Sequence, residues 1–211
     1  LRVSRGRACL WRSSSRAGMV KRKHYSKSLT PSRRKRDTTK SCRPFLNFNL
    51  KWRAFMSTET VEERLQRIED IEAIRLLKHR YCAYCDDNYD ADGIASLFTE
   101  NAVWDAGPFG RNEGREAIRE YFRGTPDNIS FAIHQVSNSA IEVDGDSAKG
   151  SWYLWQPMVM RDENRALWLA ARYDELYLRH DGHWLIHDCK VQVRMLSPYE
   201  KGFGQERVTE L

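Results

Sequence analysis

The hydrophobic period of this chain changes once, near residue 130, and that change limits what it can fold into. Before it, Ile68, Ile71, Ile74 and Leu77 recur at three-residue steps and Tyr81 follows at four, the stripe of an amphipathic helix. After it, apolar residues fall on every second position, as along a strand with one buried face. Thr60 with Glu63 forms a capping-box pattern, which sets a long helix over about 60 to 85. A short helix fits "ADGIASLF", with Ile94, Leu97 and Phe98 inward; "NAVWDAGPFGRNEG" reads as a strand and a punctuated loop. "GREAIREYFRG" reads as a third helix with Ile118, Tyr121 and Phe122 as its apolar side.

Two hairpins follow. "SFAIHQVSNSAIEV", the turn "DGD" and "SAKGSWYLWQPMVM" make the first; "RALWLAARYDELYLRH", Asp181-Gly182 and "HWLIHDCKVQVRM" make the second. Helices first and strands after give an α+β domain over residues 56–196, a long curled antiparallel sheet closed by about three N-terminal helices. Residues 197–211, with Gly202 and Gly204, read as a C-terminal tail or lid.

Charge divides the chain at residue 55, just ahead of the domain read over residues 56–196. Of 35 Lys and Arg, 17 lie in residues 1–55 against the one acid Asp37, whereas the remainder is acidic. The basic segment has no sustained apolar period and reads as a disordered extension. Three explanations compete for it: an upstream translated extension preceding the start-like "MSTETVEERL" at Met56, an organellar transit peptide, or a basic tail that binds polyanions. The first is favoured, so that residues 1–55 need not belong to the mature protein. An acidic folded part excludes nucleic acid as its own partner, and no run of 18 apolar residues exists to form a membrane helix. The odd three cysteines of the folded part, Cys82, Cys85 and Cys189, argue for a reducing compartment, hence the cytoplasm.

Within "HRYCAYCDDNYD", residues 79–90, Cys82 and Cys85 form a C-x-x-C. It lies inside the helix with no strand leading into it and no second pair at zinc spacing, so packing is expected rather than redox or metal chemistry. No metal and no cofactor is expected. In an alternating strand Ala132, His134, Val136 and Asn138 share one face, and either two-residue loop register sets His134 on the face of Tyr153, Trp155 and Pro157. A histidine beside a carboxylate in an apolar cavity suits proton transfer. A core histidine bonded to a neighbour is the plainer alternative.

The stretches "RIEDIEAIRLLKHRYCAYCDDNYDADGIASLFTENAVW", "GREAIREYF", "HQVSNSAIEVDGDSAKGSWY" and "YDELYLRHDGHWLIHDCKV" together resemble the SnoaL-like branch of the nuclear transport factor 2-like superfamily. The resemblance covers nearly all of residues 60–196 and none of 1–55. It implies a cone-shaped sheet with an internal pocket. It further implies, as in scytalone dehydratase and bile acid 7α-dehydratase, a Tyr on the first helix, an Asp five residues on and a His before the long hairpin. Tyr81, Asp86 and His134 look like those positions, His134 lying 53 residues after Tyr81. Arg194 is the counterpart of a last-strand arginine used by some members. Where the bile acid enzyme resembles a site with a further acid opposite the histidine, this chain has "WQPM", which leaves Asp86 as the sole partner.

The activity so implied is a cofactor-independent lyase or isomerase of dehydratase or cyclase type, acting on a small cyclic, steroid-like or polyketide-like substrate. His134 moves the proton, Asp86 orients it, and Tyr81 donates to a substrate oxygen. Trp104, Phe109, Asn138, Trp155 and Arg194 are the expected substrate contacts. Tyr81 and Asp86 lie five residues apart, about 140° around an ideal helix, so they converge only if the cavity lies over the helix end. A homodimer or homotrimer through the outer sheet face is expected. A non-catalytic binding or assembly module of the same fold, similar to the small subunits of ring-hydroxylating dioxygenases, is the alternative.

Overall fold

The computed structural model describes residues 59–207, and the readings made on residues 1–55 and Met56 lie outside them. Helix α1 (Val61–Asp86) starts at the Thr60 capping box: Thr60 Oγ1 accepts from Glu63 N at 3.1 Å and Glu63 Oε2 from Thr60 N at 2.7 Å. Helix α2 (Ala91–Ser96), strand β1 (Phe98–Asp105), strand β2 (Arg111–Glu113) and helix α3 (Arg115–Gly124) follow. Strands β3 (Ile129–Ala132), β4 (Gln135–Asp144), β5 (Ser147–Met160), β6 (Arg165–His180) and β7 (His183–Pro198) come next, and a one-turn helix α4 (Gly202–Gln205) ends the described chain.

The sheet runs β2-β1-β7-β6-β5-β3, with β4 also on β5 beyond β3. All pairings are antiparallel except β1 on β7, which is parallel. Asp181 and Gly182 both take positive φ (48° and 79°), the mirror-image turn whose twist suits a two-residue hairpin. Of the register slips in the sheet, three fall in the long hairpins and help curl it: at Asn138 (φ 52°) opposite β5, at His187 and at Arg194 opposite β6. Its inner face, with Trp152, Leu154, Leu169, Tyr173 and Ile186, packs on Ile74, Leu77, Tyr81, Cys82 and Cys85 of α1.

The helical stripe is centred differently from the apolar repeat. Ile68, expected inward, is 60% exposed, and the buried line instead passes through Asp70 and Lys78. Both charges find partners there: Asp70 Oδ2 meets Arg179 at 2.8 Å, and Lys78 Nζ meets Glu175 at 2.7 Å with both side chains fully buried. Residues 197–207 lie on the outer side of the sheet. Ser197, outward on β7, is buried beneath the Glu206 carbonyl it bonds at 2.6 Å, and Phe203 packs edge-on against Trp155.

Candidate active site in the cone

A cavity of about 660 Å³ opens between the inner sheet face, α3 and the loop after β1. Tyr81, Tyr89, Tyr173, Gln156 and His134 supply its polar atoms, and Leu154, Met158, Leu167, Leu169 and Val193 supply its walls. A larger depression of about 760 Å³ lies near the start of α1. Its charges satisfy one another, Arg179 with Asp70 and Asp146 and Arg67 with Glu59, and it holds no histidine or nucleophile.

His134 occupies a two-residue break between β3 and β4. β3 pairs with β5 as far as Ala132 opposite Met158, and β4 resumes with Gln135 opposite Trp155. Released from the ladder, the His134 backbone N–H donates to Asp86 Oδ1 at 2.8 Å, and the same oxygen lies 2.7 Å from the ring Nδ1. An ionised carboxylate only accepts, so Nδ1 carries the hydrogen, and in the neutral imidazole Nε2 is the nitrogen with the lone pair. No side chain among the described residues hydrogen-bonds Nε2. Asp86 is the last residue of α1, so the cavity does lie over the helix end. Asp86 therefore fixes tautomer, ring orientation and local backbone together.

Tyr81 is buried on the cavity floor and accepts from Trp104 Nε1 at 3.1 Å. Burial raises its phenol well above the ordinary value, so it stays protonated and able to donate. Its hydroxyl lies within hydrogen-bonding reach of the Cys85 sulfur and lines the cavity. Tyr89, held at φ 54° in the turn after α1, stands edge-on to His134 with centroids 6.0 Å apart; burial raises its phenol as well.

Five of the residues read from sequence thus meet at one place: His134 with Asp86 behind it, Tyr81, Trp104 and Phe109. Three do not. The slip at Asn138 shifts β4 against β5 by one residue, so His134 shares the inner face with Leu154, Gln156 and Met158 rather than with Tyr153, Trp155 and Pro157. Asn138 itself is exposed at the bulge, and Trp155 points outward and stacks on Trp168 at 5.2 Å. Arg194 is the extra residue of the β7 bulge and is exposed, while Val191, Val193 and Leu196 face the cavity. Tyr89, Gln156, Tyr173 and Arg165 were missed. Gln156 had a readable signal, a polar residue at the inward parity of Trp152, Leu154 and Met158.

Cys82 and Cys85 are free and buried. Burial lifts the Cys82 thiol to about 11 and that of Cys85 well above its usual value, which keeps both as unreactive thiols. Among the described residues no three His, Cys, Asp or Glu side chains converge as a metal-ligand set. Nor is any described helix long and apolar enough to cross a membrane.

A cone of curved sheet with a carboxylate-backed histidine in its cavity matches one class, and comparison with known families agrees. Residues 66–190 match the SnoaL-like domain, and the chain belongs to that family. A crystal structure of a candidate aromatic ring hydroxylase from Novosphingobium aromaticivorans is 31% identical, covering 62% of this chain and 94% of its own, with a TM-score of 0.58. The hexachlorocyclohexane dehydrochlorinase LinA-type3 of Novosphingobium barchaimii is 22% identical over 64% of this chain and 93% of its own, with a TM-score of 0.60. A candidate scytalone dehydratase from N. aromaticivorans is 21% identical over 63% and 89%, with a TM-score of 0.59. At these last two identities the likeness is one of fold.

Proposed function

We propose that the chain is a cofactor-independent lyase or isomerase of the dehydratase or cyclase type, acting on a small cyclic, steroid-like or polyketide-like substrate held in the cone. The observation that carries this is the pair of contacts from Asp86 Oδ1 to the His134 ring and backbone, 2.7 and 2.8 Å, which leaves Nε2 as a base beside an otherwise apolar cavity. His134 takes a proton from a carbon next to an electron-withdrawing group. Asp86 stabilises the imidazolium so formed, and Tyr81 donates to the oxygen that gains charge or leaves. Trp104 holds the Tyr81 oxygen in place, and Phe109 covers the cavity mouth.

Self-association belongs to the same reading. Trp155, Trp168, Tyr199 and Phe203 form an aromatic patch on the outer sheet face, which suits a homodimer or homotrimer. Three free buried thiols suit the reducing cytoplasm. A second reading is a non-catalytic binding or assembly module of the same fold, in which the Asp86–His134 bond serves only the fold. Screening cyclic ketones, hydroxysteroids and polyketide-like phenols for turnover, with His134→Ala and Asp86→Asn as controls, separates the two. Turnover lost in both variants at unchanged melting temperature supports the enzyme; turnover untouched by either refutes the mechanism.

A further inference from the structure

We propose that Arg165 turns the cavity mouth into an anion subsite, so that the substrate is an apolar cyclic molecule bearing a carboxylate remote from its reacting carbon. This rests on the reading of the cavity as the substrate site and narrows its substrate class. Arg165 opens β6 with the same parity as Leu167, Leu169 and Tyr173, all of which line the cavity, and it lines the cavity with them. It is the one permanently charged side chain among the lining residues, and no Asp or Glu is among them. A carboxylate entering there meets attraction with no opposing charge in the lining.

The guanidinium is also unspent. Arg67, Arg75, Arg111, Arg119, Arg123, Arg172 and Arg179 all pair with acids. Arg165 forms no ion pair or side-chain hydrogen bond with any described residue, although Asp162 and Glu163 stand in the turn before it. Asn128 adds an amide at the same mouth; its backbone carbonyl is bonded by Arg161 N at 2.7 Å, and its side chain is uncommitted. A fork of N–H donors beside an amide fits the two oxygens of a carboxylate.

Strand geometry sets the length of the molecule. Leu169 pairs with Gln156, next to the Pro157 carbonyl that bonds Ile133 N beside His134, and Arg165 lies four residues before Leu169. Four strand residues span roughly 13 Å, a distance the arginine side chain shortens, so a fused bicyclic ring with substituents at both ends fills the gap. The walls between, Met158, Leu167 and Leu196, are apolar and suit such a ring.

The test is calorimetric titration of the full chain with 6-hydroxy-2-naphthoate and with its methyl ester. The acid is expected to bind about tenfold more tightly than the ester, the scale of one charge-assisted contact near the surface. Arg165→Gln should erase that preference by lowering acid affinity to the level of the ester, and Arg194→Gln, on the outer bulge, should keep it. A preference that survives in Arg165→Gln, or acid and ester binding equally to the wild type, overturns the anion subsite but leaves the cavity reading standing. If neither compound binds, the cavity reading falls and the subsite with it.

Discussion

Helix α1 carries two acid–base pairs into the cone, and they differ in what they leave unfinished. At Lys78 everything is consumed. Glu175 accepts from Lys78 Nζ, from the Tyr177 hydroxyl through a short bond and from Cys189 Sγ at 3.3 Å. The ammonium also lies 3.2 Å from the Tyr173 ring centroid and 4.4 Å from that of Tyr81. Two turns further on, Asp86 binds His134 by one oxygen, and the far ring nitrogen is left for a ligand. A buried pair with no spare valence specifies packing; a half-spent pair at a cavity edge is available for chemistry.

The largest effect expected from breaking this contrast is on the open pair. His134→Ala should lower turnover by about 10² to 10⁴-fold, the usual contribution of a positioned acid–base group, with little loss of melting temperature. Asp86→Asn should do nearly as much, since the amide cannot stabilise the imidazolium. The closed pair should respond in the opposite sense. Lys78→Met strands the Glu175 carboxylate and should cost about 3–5 kcal/mol of stability in denaturant titration, whereas Lys78→Met with Glu175→Met should recover most of it. If the double variant is no more stable than the single one, the pair is not the closed unit described.

A smaller effect comes from the glycine that admits this cluster. A Cβ on Gly150 would lie 2.8 Å from the Tyr177 ring, whose hydroxyl joins Trp152 Nε1 to Glu175. Gly150→Ala should therefore cost about 1–3 kcal/mol through overpacking, read by thermal melting.

The smallest effect belongs to a third pair, near the surface end of α1. Burial alone would raise the Asp70 carboxyl, but hydrogen bonds from Arg179 and Trp184 and the Arg179 charge hold it below the usual range. Its contribution is full above the ordinary carboxylate value and is lost as pH falls through the lowered folded one. Melting temperature should thus drop on acidification below about pH 4, and Asp70→Asn should flatten that limb. Lys78 runs the other way. Burial pulls its ammonium down, but Glu175 more than compensates and holds it above the ordinary lysine value. Its contribution is present below that value and fades only as alkaline pH passes the folded one.

The order of elements, the capping box and the Asp-Gly turn were legible because each is local, written in period and in turn chemistry. His134 was singled out by its place on a strand, but its pairing with Asp86 was legible only through likeness to a family, since the two stand 48 residues apart and no local pattern joins them. Trp155 and Asn138 were misplaced because one extra residue at Asn138 reverses which face each later side chain takes, and a bulge leaves no mark in alternation. Arg194 failed for the same reason on β7. Ile68 failed differently: a stripe read from apolar residues alone passes over Asp70 and Lys78, whose partners lie more than 90 residues away. Arg165 was within reach, an arginine in phase with Leu167 and Leu169, but the first position of a strand is easily read as turn.

The break between β3 and β4 has a consequence of its own. A strand amide is usually shielded from solvent hydrogen by its neighbour in the ladder, but that of His134 is shielded by a side chain, Asp86. Its deuterium uptake therefore follows the integrity of one carboxylate contact rather than the breathing of the sheet. The amide of one residue becomes a clock for the readiness of the site, legible without any substrate in hand.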